Sequence, residues 1–133
     1  METSDNNTKI ELLIRKDNTT EKLFALSQCD YNFSTHYYQE EQDPMPIEVN
    51  LSGGIKEAID PLFIQWISNQ PGKWSGSLKI YHDNSDQPTI ELVFEEAVAT
   101  GCSQSFTEYN TQLNEAYFNT ILKGVVYNSI PLS

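Results

Sequence analysis

Apolar and polar residues alternate with a period of two along most of the chain, and short clusters of Asp, Asn, Pro and Gly interrupt them. That pattern commits the chain to strands, because successive side chains of a strand point to opposite faces. From Lys9 onward, Ile10, Leu12 and Ile14 share one face. Asp17-Asn18-Thr19-Thr20 reads as a turn, since Asp and Asn hydrogen-bond locally and tolerate left-handed backbone. A long second stretch runs from Lys22 to Gln39, with Cys29, Tyr31, Phe33, Thr35 and Tyr37 on one side. Asp30, Asn32, Ser34 and His36 take the other. Glu40-Glu41-Gln42-Asp43-Pro44-Met45-Pro46 then breaks the pattern as an exposed acidic loop, where neither proline suits a central strand. Ile47, Val49, Leu51 and Gly53 resume it, and Gly53-Gly54 marks a turn or bulge.

One segment has the helical period. Asp60 is a good N-cap and Pro61 suits the first helical position, where its missing N–H costs nothing. Leu62, Phe63, Trp66 and Ile67 form one stripe, and Gln70-Pro71-Gly72 ends the helix at about Asn69. Strands follow over Gly76 to His82 and Thr89 to Glu96, with a turn-rich connection between them. Residues 97–109 continue extended, with a bend expected at Thr100-Gly101. In the last strand Ala116, Phe118, Thr120, Leu122, Gly124 and Val126 alternate with Tyr117, Asn119, Ile121, Lys123, Val125 and Tyr127. Both of its faces carry apolar residues, as in a central or subunit-interface strand. Roughly seven or eight strands and one helix, about residues 60–69, fit a mainly β fold, a closed antiparallel β-barrel or a sandwich. Residues 8–133 read as one domain behind a disordered polar head, residues 1–7.

Charge narrows the function. Lys and Arg number 8 against 19 Asp and Glu, a net charge of −11, and Arg15 is the single arginine. Phosphate neutralisation needs clustered cations, so no nucleic-acid partner is expected, and no anionic membrane surface for the same reason. No apolar run approaches the ~18 residues of a membrane span. The start METSDNNTK lacks a basic segment followed by an apolar one, so no secretory signal is read there, and any export would have to use a route that does not read one. Two cysteines, Cys29 and Cys102, are too few for a disulfide framework or a closed zinc site; one disulfide stays open, and buried free thiols are the expectation.

The residues offer no recognised chemistry. His36 and His82 stand outside any nucleophile or metal motif, and Cys29 in an acidic chain lacks the electropositive surroundings of a reactive thiol. Asp83-Asn84-Ser85-Asp86 begins like a calcium loop, but Pro88 and Phe94 occupy the positions that need Gly and Glu. Leu51-Ser52-Gly53-Gly54 lacks the glycine spacing and Lys-Ser/Thr ending of a phosphate loop. No catalytic residue, metal ligand or cofactor is assigned. Trp66 reads as the anchor of the helix, and Trp74 as a partly exposed cap or interface residue.

Several stretches together carry a resemblance. They are Cys29-Asp30-Tyr31-Asn32-Phe33-Ser34, the helix Leu62-Phe63-Ile64-Gln65-Trp66-Ile67, and Gly76-Ser77-Leu78-Lys79-Ile80-Tyr81. Glu91-Leu92-Val93-Phe94-Glu95-Glu96-Ala97 and Ser103-Gln104-Ser105-Phe106 complete the set. In this order they resemble the type VI secretion tube protein of the Hcp or TssD type, in its Bacteroidota form, over about residues 8–130. The segment Glu40 to Pro46 departs from the family, being acidic where relatives are more basic and glycine-rich. The resemblance implies an antiparallel β-barrel or two-sheet barrel with the helix packed on its side, related to phage tail-tube proteins, and six copies per ring. The rings stack into a hollow tube that a contractile sheath drives outward with spike and effector proteins. It also implies that the loop holding Tyr38, Glu40, Glu41, Asp43, Pro44 and Met45 touches the next ring. The second face of the last strand supplies the candidates within a ring: Tyr117, Ile121, Val125 and Tyr127. Two other readings stay open. One is a monomeric ligand-binding barrel with Trp74, Tyr37 and Tyr38 at its mouth. The other is an enzyme built on His36 or His82 beside a carboxylate.

Overall fold

The computed structural model describes residues 8–35, 47–55, 60–68, 72–82, 85–104 and 116–132. In chain order these form β1 (Thr8–Lys16), β2 (Thr20–Thr35), β3 (Ile47–Ile55), α1 (Pro61–Ile67), β4 (Trp74–His82), β5 (Ile90–Phe94), β6 (Glu96–Gln104), β7 (Ala116–Lys123), β8 (Val126–Tyr127) and β9 (Ile130–Pro131). The strands make one antiparallel sheet in the order β6-β7-β3-β2-β1-β4-β5-β8-β9, rolled over on itself into two layers. The ladder does not close into a complete barrel, although β6 also runs against β4.

Two devices bend the sheet. The first lies in β2, whose early half pairs with β1 and whose later half pairs with β3. Leu26 faces Ile55 and Gln28 faces Gly54, so Ser27 is the extra residue of a bulge. The bulge also changes parity. Phe24 and Leu26 are buried before it, whereas Cys29 and Tyr31 pack toward the core after it. The expected break at Gly53-Gly54 does not occur in β3 itself, which pairs through to Ile55; the irregularity is carried by the strand opposite.

The second device is a corner. A single residue, Glu95, separates β5 from β6, and between them the pairing switches from β4 to β7. The partner run turns there too: β7 ends at Lys123, Gly124 takes φ +64°, and β8 joins β5. The Glu95 N–H donates to the Lys123 carbonyl at 3.0 Å. A Cβ at Gly124 would meet the Glu95 carboxylate at 2.8 Å, so glycine serves this turn twice, through its dihedral and its size. The corner divides what reads in the sequence as one long strand on each side, and so the strand count is nine. The bend expected near Thr100-Gly101 is present, as a register shift between Ala99 and Gly101.

Turns follow the residue chemistry. Asp17 and Asn18 have φ of 55° and 59°, the left-handed geometry that suits a tight hairpin. Asp17 also fixes the start of β4: its N–H donates to the Lys73 carbonyl at 2.8 Å and its carboxylate accepts from the Lys73 N–H at 2.7 Å.

Helix α1 lies against β6. The Asp60 carboxylate caps it by accepting from the Phe63 N–H at 3.0 Å and pairs with Lys22 Nζ at 3.5 Å, which ties the helix to β2. Phe63 and Trp66 enter the core, where Phe63 meets Phe24 edge-on at 5.7 Å and Trp66 tilts over Phe118 at 5.5 Å. A seven-residue helix is marginal alone, so this aromatic packing sustains it. The Trp66 indole N–H donates to the carbonyl of Ala97 at 3.2 Å. That acceptor sits on β6, the edge strand of the sheet, where backbone groups lack a second ladder. Thr120 is the buried polar side chain among the described residues, and its hydroxyl donates to the Val98 carbonyl at 2.8 Å.

Trp74 differs from expectation. It is 5% exposed and belongs to the core, with Lys16 Nζ 5.5 Å above its ring. Cys29 and Cys102 are both free, but Cys102 is exposed and Cys29 half-buried, so neither is the buried thiol expected. Residues 1–7 lie outside the described residues.

Candidate assembly interface

The barrel presents two outward sheet faces. On the layer of β7 and β3, Tyr117 is 41% exposed. Its ring lies against Gly54, where an added Cβ would stand 3.0 Å from Tyr117 Cε1, so the aromatic ring fills the space a side chain would take. Ile121 is half-buried beside Val98 and Asn50. Val125 leaves the proposed set. It is fully buried in the core, because Gly124 resets the phase of the strand. Tyr127 is displaced from that face as well and joins an aromatic cluster with Tyr31 and Phe33.

That cluster joins the end of β2 to β8. The Tyr31 and Tyr127 hydroxyls are 3.0 Å apart and hydrogen-bonded, and Phe33 meets Tyr127 edge-on at 5.7 Å. Burial, and then the bond to Tyr127, push the Tyr31 phenol up to about 12. Thr35 pairs with Ile47, so the connection between β2 and β3 leaves and returns beside this cluster. Tyr38, Glu40, Glu41, Asp43, Pro44 and Met45 belong to that connection and lie outside the described residues, as do His36 and Tyr37.

The second face is built by the early half of β2 with β1, β4, β5, β8 and β9. Leu23, Leu13, Ser77, Val93, Val126 and Pro131 stand in register across these six strands and form one outward row. Leu23 is 51% exposed and Val93 43%. Charge borders the row on both sides. Above it Arg15 Nε contacts Glu21 at 3.1 Å, and below it Lys79 faces Glu91 at 3.9 Å and Lys9 faces Glu11 at 3.8 Å. An exposed apolar strip with a polar rim is the anatomy of a docking surface.

This row was missed by reading only the last strand for an interface. Its signal is present in two places. Leu12-Leu13-Ile14 and Leu92-Val93-Phe94 are apolar at three consecutive positions, and in a strand the middle residue must face away from the core its neighbours fill.

The described residues place no catalytic constellation. His82 is exposed at the end of β4, and they contain no group of three His, Cys, Asp or Glu able to hold a metal ion. The burial of Trp74 removes it from a ligand-binding mouth. No helix among the described residues is long and apolar enough to cross a membrane.

The fold has known counterparts. Hcp1 from Flavobacterium johnsoniae superposes with a TM-score of 0.65 at 12% identity, over 91% of this chain and 97% of that one. Hcp1 from Salmonella typhimurium gives 0.58 at 10% identity, over 90% and 92%. A chain of the sheath-tube complex of an extracellular contractile injection system, PVC, gives 0.55 at 13% identity, over 88% and 87%. No curated protein matches in sequence. The family model for the hemolysin coregulated protein Hcp (TssD) matches residues 5–128. With that match spanning nearly the whole chain, and a barrel, lone helix and outward sheet faces to accompany it, this chain belongs to the Hcp (TssD) family of tube subunits.

Proposed function

We propose that this tube subunit closes into hexameric rings, and that the rings stack into the inner tube of a type VI secretion machine. In this reading a contractile sheath surrounds the tube, and spike and effector proteins travel with it. The protein is made in the cytoplasm, leaves through the apparatus without a signal peptide, and performs no catalysis. Tyr38, Glu40, Glu41, Asp43, Pro44 and Met45 make the ring-to-ring contact, and Tyr117 and Ile121 take part within the ring.

One observation carries the reading beyond family membership. A single chain leaves a polar-rimmed apolar row uncovered on its outer face, which a lone monomer has no use for. Light scattering with negative-stain images of the same peak tests it. The expected result is ring-shaped particles near six times 15.2 kDa. A monomer at high concentration and at several salt levels overturns it. Each ring would carry six times −11, so salt or divalent cations should raise the stacked fraction; sedimentation without a salt effect contradicts this.

A further inference from the structure

We infer that the outward row of Leu13, Leu23, Ser77, Val93, Val126 and Pro131 is the surface on which a second copy of this chain docks. The inference rests on the ring reading and names one of its contact surfaces.

Charge selects the occupant. The chain as a whole carries −11. The side chains that border the row are Lys9, Arg15 and Lys79 against Glu11, Glu21 and Glu91, which sum to zero. The adjoining corner depression adds Lys73 and Lys123 against Glu95 and Glu96 and leaves the sum at zero. Three of the 8 cations, Lys9, Arg15 and Lys79, therefore border the row in balance with three acids, and the excess of negative charge belongs to the rest of the chain. A second, equally acidic copy meets least repulsion here, whereas a basic partner would be drawn to the other surfaces.

Size agrees. Four strands, β2, β1, β4 and β5, at about 4.8 Å spacing carry three rows about 6.7 Å apart, a face roughly 19 Å by 20 Å, and β8 and β9 add one row. That is a flat footprint of about 450 Å² before side-chain relief is added, comparable in scale with the ~800 Å² of accessible surface each partner gives to a stable complex. The row is apolar apart from Ser77 and its borders are charged pairs, so docking buries Leu23 and Val93 without stranding an unpaired ion.

The test uses the full chain in sedimentation velocity, with Leu23→Thr, Val93→Thr and the double variant. Threonine is β-branched, as a strand favours, and removes apolar area at positions already exposed. Far-UV circular dichroism and thermal melts check that each variant keeps its fold. The expected result is a wild type that assembles and a double variant that needs at least about tenfold more protein to do so. A double variant that assembles like the wild type overturns the inference and leaves the ring reading standing, with the row assigned to another partner. A wild type that stays monomeric overturns the ring reading and the second-copy occupant together. Lys79→Glu supplies an independent measurement, since it keeps the row and shifts the bordering charge by two. It should weaken assembly at low salt and recover at high salt; no effect at low salt overturns the charge argument.

Discussion

Replacing Trp66 by phenylalanine separates two contributions that meet at one side chain. Trp66 is 1% exposed, and its indole N–H is donated to the carbonyl of Ala97, itself 2% exposed. Phenylalanine keeps a ring in the aromatic group of Phe63 and Phe118 but lacks the donor. An acceptor left buried without a partner costs about 1–3 kcal/mol. The ring is also smaller by roughly 40 Å³, and unfilled core volume costs about 24 cal/mol per Å³, or about 1 kcal/mol. The expected loss is therefore about 2–4 kcal/mol, equivalent to roughly 10–15 °C in melting temperature for a chain of this size. Urea unfolding at a concentration that keeps the protein dissociated, followed by circular dichroism, measures it. Trp74, the other tryptophan, gives an independent fluorescence signal in the variant. A loss below about 1 kcal/mol at an unchanged denaturant slope refutes the reasoning, because it means the Ala97 carbonyl does not depend on the indole.

Other consequences follow from single positions. Gly76 faces Ile14 across the β1–β4 ladder, and a Cβ there would overlap the carbonyl oxygen of Leu13; Gly76→Ala should cost more than about 3 kcal/mol in the same unfolding assay, or prevent folding. Tyr31 keeps its proton to about 12, above the ordinary phenol value of 10.0, so the folded state binds that proton more tightly than the unfolded one. Its contribution is complete below pH 10 and is lost as pH rises toward 12, and tyrosinate absorption should show a late-titrating component that Tyr127→Phe shifts downward. Burial raises both thiols, and Asp30 adds to the effect at Cys29. Near neutral pH a maleimide should therefore label exposed Cys102 before half-buried Cys29, and equal rates would contradict the geometry.

Much of the fold was legible because strand periodicity and turn chemistry are local. Leu12 and Ile14, Val49 and Leu51, and Leu92 and Phe94 lie on the inward faces their alternation implied. Asp60 caps the helix, Phe63 and Trp66 fill its buried stripe, and Asp17-Asn18 turns the first hairpin. The misreadings occur where tertiary demands change the phase. Val125 looked outward by counting from Ala116, yet the left-handed Gly124 turned it inward. The Ser27 bulge reverses the sides of β2 midway, and its glycine signal sits on the opposite strand. The interface was less legible still. A strand with apolar residues on both faces attracts attention, whereas a row across six strands takes one residue from each and exists only once the registers are known.

The corner at Glu95 and Gly124 bears on the order in which the chain can fold. Residues 116–123 cover the open edge of β3, and Val126 and Tyr127 cover the open edge of β5. During synthesis the β3 edge stays unpaired until residues 116–123 are made, and the β5 edge until Val126 and Tyr127 are. Until then, the Tyr31 hydroxyl waits for a partner 96 positions downstream. Such late, distant pairings close long loops before any contact rewards them, so the barrel should form slowly and nearly all at once. A nascent chain of this kind exposes the edge of β3 from residue 55 and that of β5 from residue 94 until these late strands are made, and holding it apart from its neighbours in that interval is the natural task of a chaperone.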